Sequence, residues 1–240
     1  MYLWDKISGF FRRNAVAAAA GPDKALLERE IAAWLGSPER VMQIKGHLYY
    51  SGEQDILSRR RTAIGENGQL QPVENLPNNR VIDNQYAKLV NQKANYLLGQ
   101  PFVLECENKQ YLELLRQALD RRFMRTLKNA GKMALCGGIA WLYPYFDGEG
   151  KLAFRLFPAY EILPFWQDSE HNTLSWAVRF YQVWDLSNGR RELQDKIEVY
   201  SLQGVQRYIW KGGSLKPDKA SLERLSYVQS DVGAFNWQRL

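Results

Sequence analysis

Residues 134–157 read ALCGGIAWLYPYFDGEGKLAFRLF, and the fold turns on them. Before this stretch, apolar residues recur at helical spacing. Within it Gly137-Gly138 close a helix, and apolar and aromatic side chains then crowd together as in paired strands. Asp147-Gly148-Glu149-Gly150 separates two such runs, 139–146 and 151–157, which predicts a hairpin. The tetrad is too short for a calcium loop and is explained as a turn.

Toward the N-terminus the pattern is helical. One helix is predicted from about 121 to 135, and another opens at Asn108 with Leu112, Leu115 and Leu119 inward. Asp83 or Asn84 caps a third, whose apolar face is Tyr86, Leu89, Val90, the stem of Lys93 and Leu97; Gly99 closes it and Pro101 stops it. A short strand is expected at 102–106. Residues 52–79 carry Arg59-Arg60-Arg61, Gly65, Gly68, Pro72, Pro77 and Asn78-Asn79, and read as a long polar connection. A structureless loop of this length inside a compact domain is uncommon and is usually functional or ordered by a partner. Ser37-Pro38-Glu39 starts a helix with Val41, Ile44, Leu48 and Tyr49 inward. The helix before it carries Leu26, Leu27, Ile31 and Leu35 and ends at Gly36.

Residues 2–13 read as an amphipathic helix with Leu3, Ile7, Phe10 and Phe11 on one face. Arg12-Arg13 and the weakly apolar run 15–20 do not make a secretory peptide, because the bulky apolar residues precede the arginines. Toward the C-terminus, strand-like runs follow at 174–186, 193–202, 205–210 and 222–229. Helices first and antiparallel strands later define an α+β chain, a helical N-terminal half followed by a mainly antiparallel sheet. The expected organisation is a helical arm over 1–36 and an α+β domain over 37–240.

Composition narrows the function. Of 240 residues, 45% are hydrophobic and 24% charged, which is ordinary globular usage. The longest charge-free stretch, 133–146, falls short of the ~20 residues a spanning helix needs, so no membrane segment is expected. Two cysteines (Cys106, Cys136) and two histidines (His47, His171) exclude a disulfide framework and a His/Cys zinc cage. Gly131-Lys132 lacks the earlier glycine of a phosphate loop, Thr126 standing in its place. No GxSxG elbow exposes a serine, and Cys136 reads as a buried structural thiol. Glu107-Asn108-Lys109 matches the short acid-x-lysine element of some nucleases without the acidic pair that should precede it. No enzyme, cofactor or metal site is therefore expected.

The net charge of +6 permits an acidic partner without demanding one. Two basic clusters stand out. Arg59, Arg60 and Arg61 lie in the long connection; Arg121, Arg122, Arg125, Lys128 and Lys132 lie on the predicted 121–135 helix, four of them at helical spacing. Either cluster is a candidate subunit-interface or phosphate contact. On charge alone, a stand-alone basic DNA-binding module is the alternative reading.

A more specific pattern runs through the middle of the chain. Tyr49-Tyr50-x-Gly52 begins it, and after the polar loop comes Asn79-Arg80-x-x-x-Asn84. The following helix ends Lys93-x-x-Tyr96-Leu97-Leu98-Gly99-x-Pro101. Downstream come Ala134-x-x-x-Gly138-x-Ala140, the Asp-Gly-x-Gly turn, and Phe154-x-x-Phe157-Pro158-x-x-x-Ile162-x-Pro164. From about residue 40 to residue 185 this order resembles the portal proteins of tailed bacteriophages, in the branch typical of siphophages.

The resemblance implies a non-enzymatic subunit of a homo-oligomeric ring, about twelve copies closed head to tail. Such a ring sits at one capsid vertex of the virion and is assembled in the bacterial host cytoplasm. Double-stranded DNA passes through it, and a separate terminase hydrolyses the ATP. Terminase, scaffold, coat and head-completion proteins are the implied partners. Portal subunits are longer, so this chain corresponds to the outer wing and is expected to be a truncated form lacking stem, clip and crown. Tyr50, Gly52, Asn79, Arg80, Asn84, Tyr96, Leu97, Leu98, Gly99 and Pro101 carry the family pattern. A strongly cationic channel would hold DNA rather than let it slide, so the 121–132 face is expected to look toward a neighbouring subunit or the capsid.

Overall fold

A computed structural model describes residues 23–73, 75–186, 189, 191–201, 204–218 and 238–239. Four of the five described α-helices begin where a short polar side chain satisfies the first free amides. Ser37 Oγ accepts from the Arg40 amide at the head of α2 (Pro38–Ser51), and α1 (Lys24–Leu35) precedes it. Asn84 Oδ1 accepts from Ala87 at the start of α3 (Gln85–Leu98). Asn108 serves Gln110 and Tyr111 at α4 (Lys109–Ala118), and Asp120 serves Arg122 and Phe123 at α5 (Arg121–Gly137). Gly138, at φ 79°, turns the chain out of α5 into the first long hairpin.

The strands are β1 (Thr62–Ile64), β2 (Leu70–Pro72), β3 (Ala140–Phe146), β4 (Leu152–Pro158), β5 (Ile162–Trp166), β6 (Leu174–Asp185), β7 (Glu192–Ser201), β8 (Gly204–Lys211), β9 (Ser214–Pro217) and β10 (Gln238–Arg239). β1 and β2 form a sheet of their own; β3 pairs with β4 and β10. β5 to β9 make a five-stranded antiparallel meander in sequence order. The α+β reading holds: the helices come first and the antiparallel meander last.

Alternation along β6 and β7 gives the meander two faces. Val178, Phe180, Ile197 and Val199, with Leu215 of β9, form one core with Leu27 and Ile31 of α1. Ala177 turns the other way, toward Trp141, Phe157 and Ile162. That second face also holds a charge. Glu198 is buried and accepts from Tyr200 Oη (2.7 Å), Arg207 Nε (3.2 Å), Arg179 Nη1 (3.3 Å) and Tyr181 Oη (3.4 Å). Arg179 Nε also binds Glu161 at 2.9 Å, and its guanidinium lies over Phe157. Burial first, then the neighbouring Glu198, pushes the Tyr181 hydroxyl up to about 12, and the same causes push Tyr200 further.

Several expectations need correction. Residues 102–106 form no strand; Phe102 and Val103 are exposed and the segment pairs with no neighbour, so the ladder that makes a strand is missing. The 52–79 connection is not structureless: a 3-10 turn (Asp55–Ser58) leads into the β1–β2 hairpin. Val41, Leu48, Leu89 and Leu97 point to solvent. In α2 the half-buried positions mix Ile44 and Tyr49 with the polar Arg40, Gln43 and His47. Arg40 donates to the Tyr160 and Leu35 carbonyls and its guanidinium lies over Trp34 and Phe180. β5 and β9 were not anticipated. The expected helix over 2–13 and strand over 222–229 lie outside the described residues.

Candidate interaction surfaces

Three of the family-pattern residues, Tyr50, Gly52 and Asn84, form a clasp. Gly52 ends α2 with φ 89°, a left-handed conformation that glycine adopts without strain. This turns the chain so that the Tyr50 carbonyl accepts from Asn84 Nδ2 at 3.0 Å, while Asn84 Oδ1 caps α3. Gln54 Nε2 donates to the same oxygen at 3.3 Å, and Tyr50 Oη donates to Asn91 Oδ1 at 2.9 Å. The end of α2 and the start of α3 are thereby bolted together, although 31 residues of chain lie between Gly52 and Asn84. Asn91 and Gln54 were not singled out from sequence; their only signal was helical spacing from Asn84 and proximity to Gly52.

Between the ends of the clasp the chain projects as an arm. Arg80 Nη1 donates to the Leu57 carbonyl, Asn78 Nδ2 to the Arg59 carbonyl, and Arg61 Nη1 to the Pro77 carbonyl. These bonds close the base of the β1–β2 hairpin, all of whose strand residues are exposed. Arg59, Arg60 and Arg61 are exposed on it, and Asn79 is exposed beside Arg80.

The far end of α3 meets α5. Leu98 packs where a side chain on Gly131 would stand, so the two helices approach closely. Past Gly99 and Pro101, residues 98–104 and α5 enclose an open groove of about 970 Å³. Leu98, Phe102, Leu119 and Met124 supply apolar lining, and Arg116, Arg121, Arg125 and Lys128 line it with Asp120. The structure thus joins three residues of the predicted basic stripe with the end of the family pattern. Arg122 is exposed elsewhere on α5 and Lys132 is half-buried beyond the groove. Tyr96 (89% exposed) and Leu97 face solvent on α3.

Of the remaining sequence candidates, Cys136 falls into the core. Burial pushes the Cys136 thiol up, against a hydrogen bond with Tyr86 that works the other way, a setting opposite to that of a nucleophilic cysteine. Gly46 of α2 sits directly on the Cys136 carbonyl. Glu107 and Lys109 are exposed at the start of α4. Among the described residues, no group of three or more His, Cys, Asp and Glu is placed to hold a metal, and no helix is long and apolar enough to cross a membrane.

Comparison with known proteins covers the same stretch. The family described as phage portal protein, SPP1 Gp6-like, matches residues 42–229. The portal protein of Bacillus phage SPP1 is 30% identical over 204 residues, 82% of this chain and 40% of that protein. The portal protein of Clostridium phage phiCD119 is 26% identical over 195 residues, 77% of this chain and 42% of that protein. The chain therefore spans about two fifths of the length of these relatives.

Proposed function

Because this chain belongs to the SPP1 Gp6-like phage portal proteins, we propose that it is the wing portion of a ring-forming structural subunit at the capsid vertex. The observation that carries the reading is the family match over 42–229, which takes in the clasp, the arm, the groove and the meander alike. In this reading, the arm over 1–36 and the domain over 37–240 form the outer part of the subunit.

The role is mechanical and not catalytic. Copies assemble head to tail, so each subunit needs two different, mutually complementary surfaces. The ring acts as conduit for double-stranded DNA in packaging and ejection, and as the docking platform for terminase and head-completion proteins. The cationic groove faces a protein neighbour or the capsid, because phosphate attraction along the channel would retard sliding.

Negative-stain electron microscopy of the purified chain over a concentration series tests this. Closed rings or arcs of regular curvature are expected. Dispersed monomers at every concentration would overturn the ring reading for these residues. Reversing Arg121, Arg122 and Arg125 to Glu should abolish the rings; rings indifferent to the triple reversal would refute the placement of the groove.

A further inference from the structure

Two exposed surfaces of this chain are apolar, carry opposite charge, and lie on different elements. The first is the arm. Ile64 and Leu70 stand directly opposite each other across β1–β2 and are 76% and 69% exposed. A two-stranded hairpin with nothing packed on it is marginal in water, and burying this pair would remove that cost. Arg59, Arg60 and Arg61 precede it against Glu66 alone, and no described carboxylate pairs with them.

The second surface is the entry and outer side of α4. Leu114 is 63% exposed, with Tyr111 exposed one helical turn before it. Glu105, Glu107 and Glu113 lie along this stretch against Lys109 and Arg116, and none of the three is in an ion pair among the described residues. Among the described residues both surfaces remain open, so neither covers the other.

We infer that the β1–β2 arm of one copy seats on the 105–114 surface of the next copy, arginines against glutamates and Ile64–Leu70 against Tyr111 and Leu114. The inference rests on the ring reading above and names one pair of surfaces within its subunit contact. Charge fixes the partner: the arm is repelled by the cationic groove and attracted by the acidic surface beside it, which also sets the direction of assembly.

The test uses the purified 240-residue chain. In a Cys106→Ser background, Ile64→Cys and Leu114→Cys are placed on one chain and oxidised. A ladder of covalent multimers is expected, because a head-to-tail contact propagates. Each chain with only one introduced cysteine should give no ladder, the native Cys136 being buried, and mixing the two should give heterodimers only. Independently, Arg59→Glu/Arg60→Glu/Arg61→Glu should weaken association at least ~10-fold, as should Glu105→Arg/Glu107→Arg. Combining them should restore it to within ~3-fold of the parent, as swapped complementary charges do. All these side chains are exposed, and unchanged thermal melting confirms folding. Rings in the microscope without a ladder, or without rescue by the double reversal, would overturn this contact alone. Monomers throughout would overturn both this contact and the ring reading.

Discussion

Replacing Gly46 by Ala sets two physical effects against each other, and the packing of α2 on α5 decides the outcome. Gly46 is inside α2, where Ala is favoured over Gly by about 1 kcal/mol. Propensity alone therefore predicts a more stable protein. The added methyl, however, would overlap the backbone carbonyl oxygen of Cys136, with the carbonyl carbon at 2.9 Å and Tyr86 Oη at 3.4 Å. The obstacle is main chain of another helix, so no side-chain rotation relieves it and the helices must separate.

Overpacking of this kind costs about 1–3 kcal/mol. A rigid backbone obstacle places it at the upper end, which leaves a net loss of about 2 kcal/mol after the propensity gain. For a domain of this size that lowers Tm by about 4–8 °C. Thermal melting and urea denaturation of Gly46→Ala measure it. Gly36→Ala is the control, since nothing lies within 4 Å of its added methyl, and it should stay within about 0.5 kcal/mol of the parent. A Gly46→Ala protein that melts at or above the parent temperature would refute the close α2–α5 approach.

Other outcomes follow from the core. Glu198→Ala removes the acceptor shared by Tyr200, Arg207, Arg179 and Tyr181. Breaking a buried ionic network by deleting one partner costs about 3–5 kcal/mol; a urea-midpoint loss below about 1 kcal/mol at unchanged slope would contradict the buried network. His47 gives a pH dependence. Burial holds its imidazole below the ordinary 6.5, and its Nε2 is buried without a hydrogen-bond partner. As pH falls through 6.5 the unfolded chain takes up the proton first, so stability present at neutral pH is lost on acidification. The fall in Tm between pH 7.5 and 5.5 should be smaller in His47→Gln; equal falls would mean that His47 is not the group responsible.

What sequence reading captured was local. Ser37, Asn84, Asn108 and the Asp-Gly-x-Gly turn act on amides a few residues away, and each stands where its spacing placed it. Facing directions were less legible, because they depend on distant partners. Arg40 points inward since two carbonyls and two aromatic rings receive it, and hydrophobic periodicity assigns no such role to an arginine. β5 escaped notice because it is short and contains Pro164; it lies at the sheet edge, where a missing amide is tolerated. The cationic stripe was visible as a spacing on one helix. Its groove was not, because the opposite wall, 98–104, includes residues that the apolar run had assigned to a strand over 102–106.

The clasp between Tyr50, Gly52 and Asn84 has an architectural corollary. Where two chain ends are already pinned within hydrogen-bonding distance, the intervening loop can lengthen, shorten or be exchanged with little effect on the body that carries it. Each doubling of such a loop adds only about 0.6 kcal/mol of closure entropy. The arm is in this sense a replaceable fitting on a fixed socket, and descendants of one scaffold can remodel it without redesigning the helices beneath.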